Sequence, residues 1–222
     1  MTTELKPRTR RSAEGSGRSQ DPDGTRRNII EVATREFADK GLAGARIDEI
    51  AAKTKASKRM IYYYFGDKEG LYVSVLEAAY STVRAEEATL RLDDLPPLEA
   101  LEKLVQFTFD HHNRNEAFIR LVMIENIHNA EYLGRSRVIE QLNVAAIGTI
   151  RRIYERGLAE GLFREGIDPT DLHWQISALC FFNVSNRATF SKIFQRDLGS
   201  KENLARLRAE AVEMIVRFVR RP

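Results

Sequence analysis

The stretch from Arg46 to Leu71 restricts the fold of this chain more than any other part of the sequence. It reads RIDEIAAKTKASKRMIYYYFGDKEGL. The apolar spacing of Ile47 and Ile50 predicts a short amphipathic helix, and the polar run Thr54–Ala56 interrupts it. Ser57 is a favourable N-cap for a second short helix that runs into three consecutive tyrosines. Two short helices with a tight turn between them are typical of a helix-turn-helix, whose second helix enters the major groove of DNA.

The composition of the whole chain favours an all-α fold. The 222 residues are 43% hydrophobic and 30% charged, which is typical of a globular protein with a sizeable core. Long amphipathic segments follow one another and strand-like alternation is rare. We therefore expect an N-terminal three-helix DNA-binding domain and a larger helical domain, with about nine helices in all.

The cysteine content and the N-terminal sequence bear on where such a chain works. A single cysteine, Cys180, excludes an internal disulfide and a multi-cysteine zinc site, and it fits a reducing cytoplasm. The first 20 residues have no apolar core, so a signal peptide is not expected. No apolar run approaches the length that a bilayer requires, so no membrane-spanning segment is expected.

The positive charge is concentrated around the predicted helix-turn-helix. Residues 1–65 contain 14 Lys and Arg against 9 Asp and Glu, whereas residues 66–222 contain 21 against 23. This distribution is what a phosphate-binding end of a molecule requires. Residues 1–22 are rich in Arg, Ser, Gly and Thr, and we expect them to form a disordered basic tail. Arg8, Arg10 and Arg11 could add phosphate contacts, or the tail could be merely solvated.

Breaks in the sequence divide the remainder into helices. Helix 1 is expected to start near Asp23 or Thr25, where either residue can cap it, and to stop at Gly41. Pro96-Pro97 and Asp168-Pro169 mark later helix starts, and Gly199-Ser200 marks a break. The predicted helices span about residues 23–40, 47–54, 57–63, 68–90, 98–113, 116–129, 134–159, 169–198 and 201–220. The corresponding domains are residues 23–67, which contain the predicted helix-turn-helix, and residues 68–222, which form the larger helical domain.

Residues 25–76 resemble the DNA-binding domain of the TetR/AcrR family of transcriptional regulators. The resemblance depends on Gly41, Ile50-Ala51, Ser57-Lys58, Ile61-Tyr62, Tyr64-Phe65, Lys68 and Leu71. The length and helix pattern of the rest of the chain are consistent with the regulatory domain of that family. The resemblance implies a homodimeric, ligand-responsive regulator, most simply a repressor that a small molecule releases from a palindromic operator.

Two positions depart from the family pattern. Ala45-Arg46 stands where a threonine is common before helix 2, and Lys55 stands where a glycine is common in the turn. A glycine there supports a left-handed backbone, which costs other residues on the order of 1 kcal/mol. Either the turn has a different conformation here, or Lys55 accepts the strain and gains a phosphate contact.

The candidate DNA-binding residues lie in and around the second short helix. Lys58 and Arg59 are near its N-terminal end, which reaches base edges in this geometry, and arginine to guanine is the commonest specific contact. The alternative is that both are solvated surface charges. The resemblance implies that Tyr62 and Lys68 contact the DNA backbone. The remaining candidates are Thr25, Arg46, Lys55, Ser57 and Tyr63.

The resemblance also implies that helices 4 to 8 enclose a small-molecule pocket. Such pockets are mostly apolar with a few placed polar groups. The candidate ligand-binding residues are Phe107, Met123, Asn126, His128, Trp174, Phe181 and Asn183. The alternative is that the aromatic residues belong to the core, as aromatic residues at helical spacing usually do. The run HWQISALCFFNVSNRATFSKIF is similar to regulators of pyrimidine and aromatic-compound catabolism, which implies an aromatic or nucleobase-like effector.

The last helix of the chain has an apolar stripe that requires a partner. In the family, helices 8 and 9 of this prediction would pair with those of a second copy to form a homodimer.

Two alternatives stay open: a DNA-binding architectural protein without a ligand, and an enzyme. The pairs His112 with Glu116 and Glu125 with His128 could bind a metal, although ordinary surface polarity also explains them. We expect neither a metal nor any other cofactor.

Overall fold

The computed structural model describes residues 21–221, and this part of the chain is almost entirely helical. Its only β pairing is an isolated bridge between Phe163 and Arg220, which confirms the predicted all-α class. The helices are α1 (Pro22–Gly44), α2 (Ile47–Lys53), α3 (Lys58–Phe65), α4 (Lys68–Ala88), α5 (Pro97–Arg114), α6 (Glu116–Ile127), α7 (Arg137–Ala159), α8 (Pro169–Ser185), α9 (Arg187–Ile193) and α10 (Lys201–Val219). Short 3-10 turns at Leu92–Asp94 and Leu133–Arg135 precede α5 and α7. No helix between residues 21 and 221 is both long and apolar enough to cross a membrane.

Helix α1 begins earlier than the sequence predicted. Asp21 is its N-cap and accepts a hydrogen bond from the backbone N–H of Gly24 at 2.8 Å, while Pro22 occupies the first turn. The cap is therefore Asp21 rather than Asp23 or Thr25, because proline is well suited to the first helical position. The other residues of the predicted tail, including Arg8, Arg10 and Arg11, lie outside the described residues.

The predicted stop at Gly41 is present as a kink. Gly41 has φ +67°, a left-handed conformation that glycine adopts without a steric penalty, and one further helical turn follows to Gly44. This kink turns the chain toward α2.

A first apolar core joins α1, α2, α3 and the N-terminal half of α4. Its largest fully buried side chains include Phe37, Ile50, Ile61 and Tyr72, and the rings of Phe37 and Tyr72 meet edge to face at 5.0 Å. Leu121 of α6 belongs to the same core. The small N-terminal unit therefore packs directly against a helix of the larger one.

A second core lies between α5, α7, α8 and α10. Its buried members on α8 recur every four residues at Leu172, Ile176 and Cys180, and Ile215 of α10 meets them. This spacing places one face of α8 against the core and leaves the opposite face exposed.

The structure divides the predicted helix 8 into α8 and a short α9. Asn186 ends α8 with φ −108° and ψ 2°, and its side-chain amide donates to the hydroxyl of Ser185 at 2.8 Å. Asparagine favours such non-helical positions because its side chain competes for local hydrogen bonds. The described residues thus form ten α-helices instead of nine, and the predicted helix 9 corresponds to α10.

Candidate DNA interface and effector cavity

The turn between α2 and α3 is organised by the hydroxyl of Thr54. This oxygen lies 3.1 Å from the carbonyl oxygen of Ala51 and 3.3 Å from the backbone nitrogen of Ala56. Thr54 itself is extended, with φ −108° and ψ 172°, and Lys55 is not among the described residues with positive φ. Of the two explanations for the missing glycine, a different turn conformation is the correct one.

Helix α3 presents a polar and aromatic face to solvent. The hydroxyl of Ser57 caps the helix by accepting from the backbone N–H of Met60 at 3.3 Å. Ile61 and Phe65 are buried and hold α3 against the first core, and Tyr64 is half-buried beside Phe65. The opposite face is therefore free to meet a partner.

The predicted DNA-binding residues of α3 lie together on that exposed face. Tyr63 is 84% exposed and Tyr62 is 48% exposed. The ammonium of Lys58 contacts Asp48 of α2, whereas Arg59 forms no hydrogen bond or ion pair with any residue between 21 and 221. Arg59 is thus the cation of α3 that is available to an external partner.

The other candidates surround α3 on neighbouring elements. Arg46 precedes α2, has no capping hydrogen bond of its own, and lies 3.7 Å from the carboxylate of Asp48. Lys55 is exposed in the turn, and its backbone N–H lies 3.5 Å from the side-chain oxygen of Asn28. Thr25 is in the first turn of α1, where its hydroxyl donates to the carbonyl oxygen of Asp21 at 3.0 Å.

Lys68, the candidate at the start of α4, is half-buried. Its ammonium donates to the carbonyl oxygen of Ala45 at 3.2 Å and so ties α4 to the segment before α2. Asp67 caps α4 by accepting from the backbone N–H of Gly70 at 2.7 Å. The helix that leaves the DNA-binding unit is therefore fixed at its first turn.

A cavity of about 360 Å³ lies in the larger unit between α4, α5, α6, α7 and α8. Aromatic rings form part of its wall, including Tyr80, Phe107, Phe118 and Phe181. The rings of Tyr80 and Phe118 meet edge to face at 5.3 Å. A cavity of this size with aromatic walls suits a small planar molecule.

A few polar groups interrupt this apolar wall. Arg84 and Glu87, one turn apart on α4, form an ion pair with side chains only 18% and 11% exposed. Burial raises the pKa of Glu87, while Arg84 opposes that shift. His111 and His112 of α5 and His173 of α8 also line the cavity, and burial lowers the pKa of all three, that of His112 to about 4. The three imidazoles are therefore neutral at neutral pH.

The cavity includes four of the seven predicted ligand-binding residues: Phe107, Asn126, Trp174 and Phe181. The other three lie elsewhere. Met123 is exposed on another face of α6, and His128 is exposed just beyond the end of that helix. The side-chain amide of Asn183 lies 3.4 Å from that of Asn113, away from the cavity wall. Helical spacing shows on which face of its helix a residue lies, but it does not show which neighbouring helix that face contacts.

The residue pairs that suggested a metal are engaged in other contacts. One oxygen of the buried Glu125 accepts from the backbone N–H groups of Tyr132 and Leu133, at 3.2 and 2.9 Å. Glu116 forms an ion pair with Arg187 at 3.2 Å. Within residues 21–221, no group of three or more histidine, cysteine, aspartate or glutamate side chains is placed to hold a metal ion.

Sequence reasoning missed most polar residues of the cavity. Arg84, Glu87 and His111 resemble ordinary solvated positions because charged and imidazole groups are usually exposed. A signal existed in α5, where His111 and His112 follow Leu104 and Thr108 at helical spacing and so share a face with them.

Comparison with known proteins supports both units. Residues 29–75 match the model of bacterial regulatory proteins of the tetR family, and residues 97–215 match the model of the tetracyclin repressor-like C-terminal domain. The transcriptional repressor NicS of Pseudomonas putida is 39% identical over 204 residues, which cover 92% of this chain and 96% of NicS.

Solved structures show the same fold. A transcriptional regulator of Streptomyces coelicolor, SCO4942, superposes with a TM-score of 0.68 and 25% identity, covering 89% of this chain and 99% of its own. A transcriptional regulator of Saccharomonospora viridis, solved in complex with choline, gives a TM-score of 0.68 at 20% identity, with 90% and 100% coverage.

These matches and the helix-turn-helix define a DNA-binding transcriptional regulator. The chain belongs to the TetR family.

Proposed function

We propose that this protein is a homodimeric repressor that binds a palindromic operator through α3 and leaves it when a small aromatic or nucleobase-like effector enters the cavity. The observation that carries the proposal is the position of the cavity. Its walls include α4 and α6, and both helices also contribute to the first core beneath the exposed face of α3.

The exposed face of α3 supports a direct role in reading DNA. Arg59 is the residue that we assign to base recognition, with Lys58 beside it at the N-terminal end of the helix. Tyr62 and Lys68 are assigned to the phosphate backbone. The residues that add further contacts in this proposal are Thr25, Arg46, Lys55, Ser57 and Tyr63. Residues 21–67 then form the DNA-binding domain, and residues 68–222 serve effector binding and dimerisation.

Exposed apolar residues on α8 and α10 support the dimer. Phe182 of α8 is 50% exposed, and Met214 and Phe218 of α10 are 49% and 42% exposed. A group of large exposed apolar side chains is characteristic of an interaction surface. A second copy related by a two-fold axis covers them and places the two α3 helices on half-sites about 34–36 Å apart.

Helix α6 supplies a second route, besides α4, from the cavity to the DNA-binding unit. Phe118, Val122 and Asn126 line the cavity at successive turns. From another face of α6, Arg120 donates through Nε to the carbonyl oxygen of Ala38 in α1 at 2.9 Å. An effector that shifts α6 or α4 changes the position of α3, and the differential affinity required is only a few kcal/mol.

The experiment compares binding of the full chain to a palindromic duplex selected from a random pool with binding to the same duplex scrambled, at matched salt. The proposal predicts tight, selective binding by two copies of the chain per palindrome. An architectural DNA-binding protein would instead bind both duplexes with similar affinity.

A further inference from the structure

We propose that His111 and His112 form the recognition edge of the effector cavity and select an uncharged planar ring that carries both a hydrogen-bond donor and an acceptor in its plane, such as a lactam. This inference rests on the proposed effector role of the cavity and defines its ligand more narrowly.

The first observation is that buried imidazole nitrogens lack partners. His111 is 2% exposed and His112 is 8% exposed. Neither nitrogen of His111, nor Nδ1 of His112, has a hydrogen-bond partner among the described residues. Both residues line the cavity, and buried polar groups are nearly always paired, so a ligand held beside these imidazoles would supply the missing hydrogen bonds. A neutral imidazole offers one N–H donor and one acceptor nitrogen, and the ligand must therefore offer the complement of both.

The second observation concerns shape. The ring of Phe118 lies 5.9 Å from both imidazoles, and the ring of Phe107 lies 5.7 Å from that of His111. Aromatic groups thus flank the unpaired nitrogens. An aromatic ring binds well in such surroundings because it stacks on or edges against its neighbours while its own edge stays free for hydrogen bonds.

The third observation concerns charge. Arg84 and Glu87 are the formally charged side chains of the described cavity wall, and they neutralise each other in one ion pair. The imidazoles add no charge, because burial keeps them neutral. A carboxylate that entered this cavity would lose its hydration without meeting a net positive charge, which is unfavourable. The wall therefore favours a neutral ring over an aromatic acid.

Isothermal titration of the full chain with three probes tests this inference. 2-Pyridone carries an N–H donor and a carbonyl acceptor, N-methyl-2-pyridone lacks the donor, and benzoate is an anion. The inference predicts that 2-pyridone binds about 10- to 100-fold more tightly than N-methyl-2-pyridone or benzoate. This ratio corresponds to the free energy lost when one buried hydrogen-bonding group is left unpaired. Equal binding of the three, tighter binding of benzoate, or no binding of 2-pyridone at millimolar concentration would overturn it.

Three variants test whether the imidazole of His111 causes the preference for 2-pyridone. His111→Phe should abolish the preference for 2-pyridone, and His111→Gln, which keeps a donor and an acceptor, should retain part of it. His128→Phe, which alters an exposed histidine outside the cavity, should leave the preference unchanged. If His111→Phe keeps the full preference, the assignment is wrong. If His111→Phe does not fold, the comparison of probes on the unaltered chain still decides the inference.

The same preparation separates this inference from the proposed function. Selective binding to a palindromic duplex together with a failure to bind 2-pyridone would contradict only the assigned effector class. Loss of duplex selectivity would contradict the proposed function itself.

Discussion

The carboxylate of Glu36 on α1 accepts a hydrogen bond from the ammonium of Lys53 at the end of α2, at 2.8 Å. Glu36 is 3% exposed, and its other oxygen lies 2.7 Å from the ammonium of Lys40. Lys40 in turn contacts Glu49 of α2. This buried carboxylate therefore fixes α2 on α1 and so sets the position of the turn that leads into α3.

Replacing Glu36 by glutamine should lower the free energy of unfolding by about 2–3 kcal/mol, because two ammonium groups lose their charged partner at a buried site. Urea denaturation at matched protein concentration measures the change. Glu31→Gln is the control, since Glu31 forms an exposed pair with Arg35 at 2.6 Å. Such a pair contributes about 0–1 kcal/mol. Equal effects of the two substitutions would show that Glu36 does not anchor α2.

The same carboxylate predicts a dependence of stability on pH. Burial raises the pKa of Glu36, but the hydrogen bonds from Lys40 and Lys53 outweigh burial and lower it from 4.5 to about 2. A lowered pKa in the folded state stabilises the protein above the unfolded-state pKa, and that stabilisation is lost as the pH falls from 4.5 toward 2. Over this range the unfolding free energy of the unaltered chain should fall more steeply than that of Glu36→Gln. Parallel curves would contradict the ion-pair account.

Replacing the two glycines of α7 by alanine should have opposite effects on stability. A Cβ atom at Gly157 would lie 2.1 Å from Cδ2 of Phe163, whose ring is buried beside Tyr154. Gly157→Ala should therefore destabilise the fold by about 1–3 kcal/mol through overpacking. At Gly148 the nearest atom lies 3.7 Å away, at Nη1 of Arg152, so Gly148→Ala should stabilise by about 0.5–1 kcal/mol through helix propensity. Thermal denaturation distinguishes the two, and a neutral Gly157→Ala would show that Phe163 is free to move.

Cys180 should be inert in the folded protein. It is fully buried on α8, and burial raises the pKa of its thiol to about 12. Because the thiolate is the reactive species, an aromatic disulfide reagent at pH 8 should label Cys180 only after denaturation. Labelling of the native chain at the rate of an exposed thiol would contradict this placement.

The proposed dimer predicts unequal effects of two exposed apolar residues. Met214 on α10 is 49% exposed and Val144 on α7 is 69% exposed. Met214→Asp should shift the protein toward the monomer, because it places a charge in the interface, whereas Val144→Asp should leave the dimer intact. Analytical ultracentrifugation measures both, and a dimer that withstands Met214→Asp as it does Val144→Asp would place the interface elsewhere.

The sequence predicted the N-terminal unit better than the cavity. Ser57 caps α3 at the predicted position, because a cap depends on local spacing. The conformation at Lys55 stayed open in the sequence, since it depends on hydrogen bonds that Thr54 makes in the folded turn. Sequence patterns therefore predict features that depend on neighbouring residues, such as helix caps.

The cavity depends on contacts between helices that are distant in the chain. Arg84 and His173 are separated by almost ninety positions yet line the same cavity, and neither is distinguishable in the sequence from a surface residue. Trp174 and Met123 were both predicted to bind the ligand, but of the two only Trp174 lines the cavity. The packing of the helices determines which of these residues lines the cavity, and the periodicity of the sequence does not show how the helices pack.

The most direct measurement of the central claim, that α3 reads operator DNA, is the affinity of Arg59→Ala for a selected palindrome and for its scrambled form at fixed salt. Arg91→Ala is the matched control. Arg91 is an exposed arginine beyond the far end of α4, which is about 30 Å long. Arg59→Ala should bind the palindrome about 10-fold or more weakly and lose much of its preference over the scrambled duplex, because a base contact is removed. Arg91→Ala should match the unaltered protein. Arg59→Ala binding as tightly and as selectively as the unaltered protein would contradict the assignment of α3 as the reading helix.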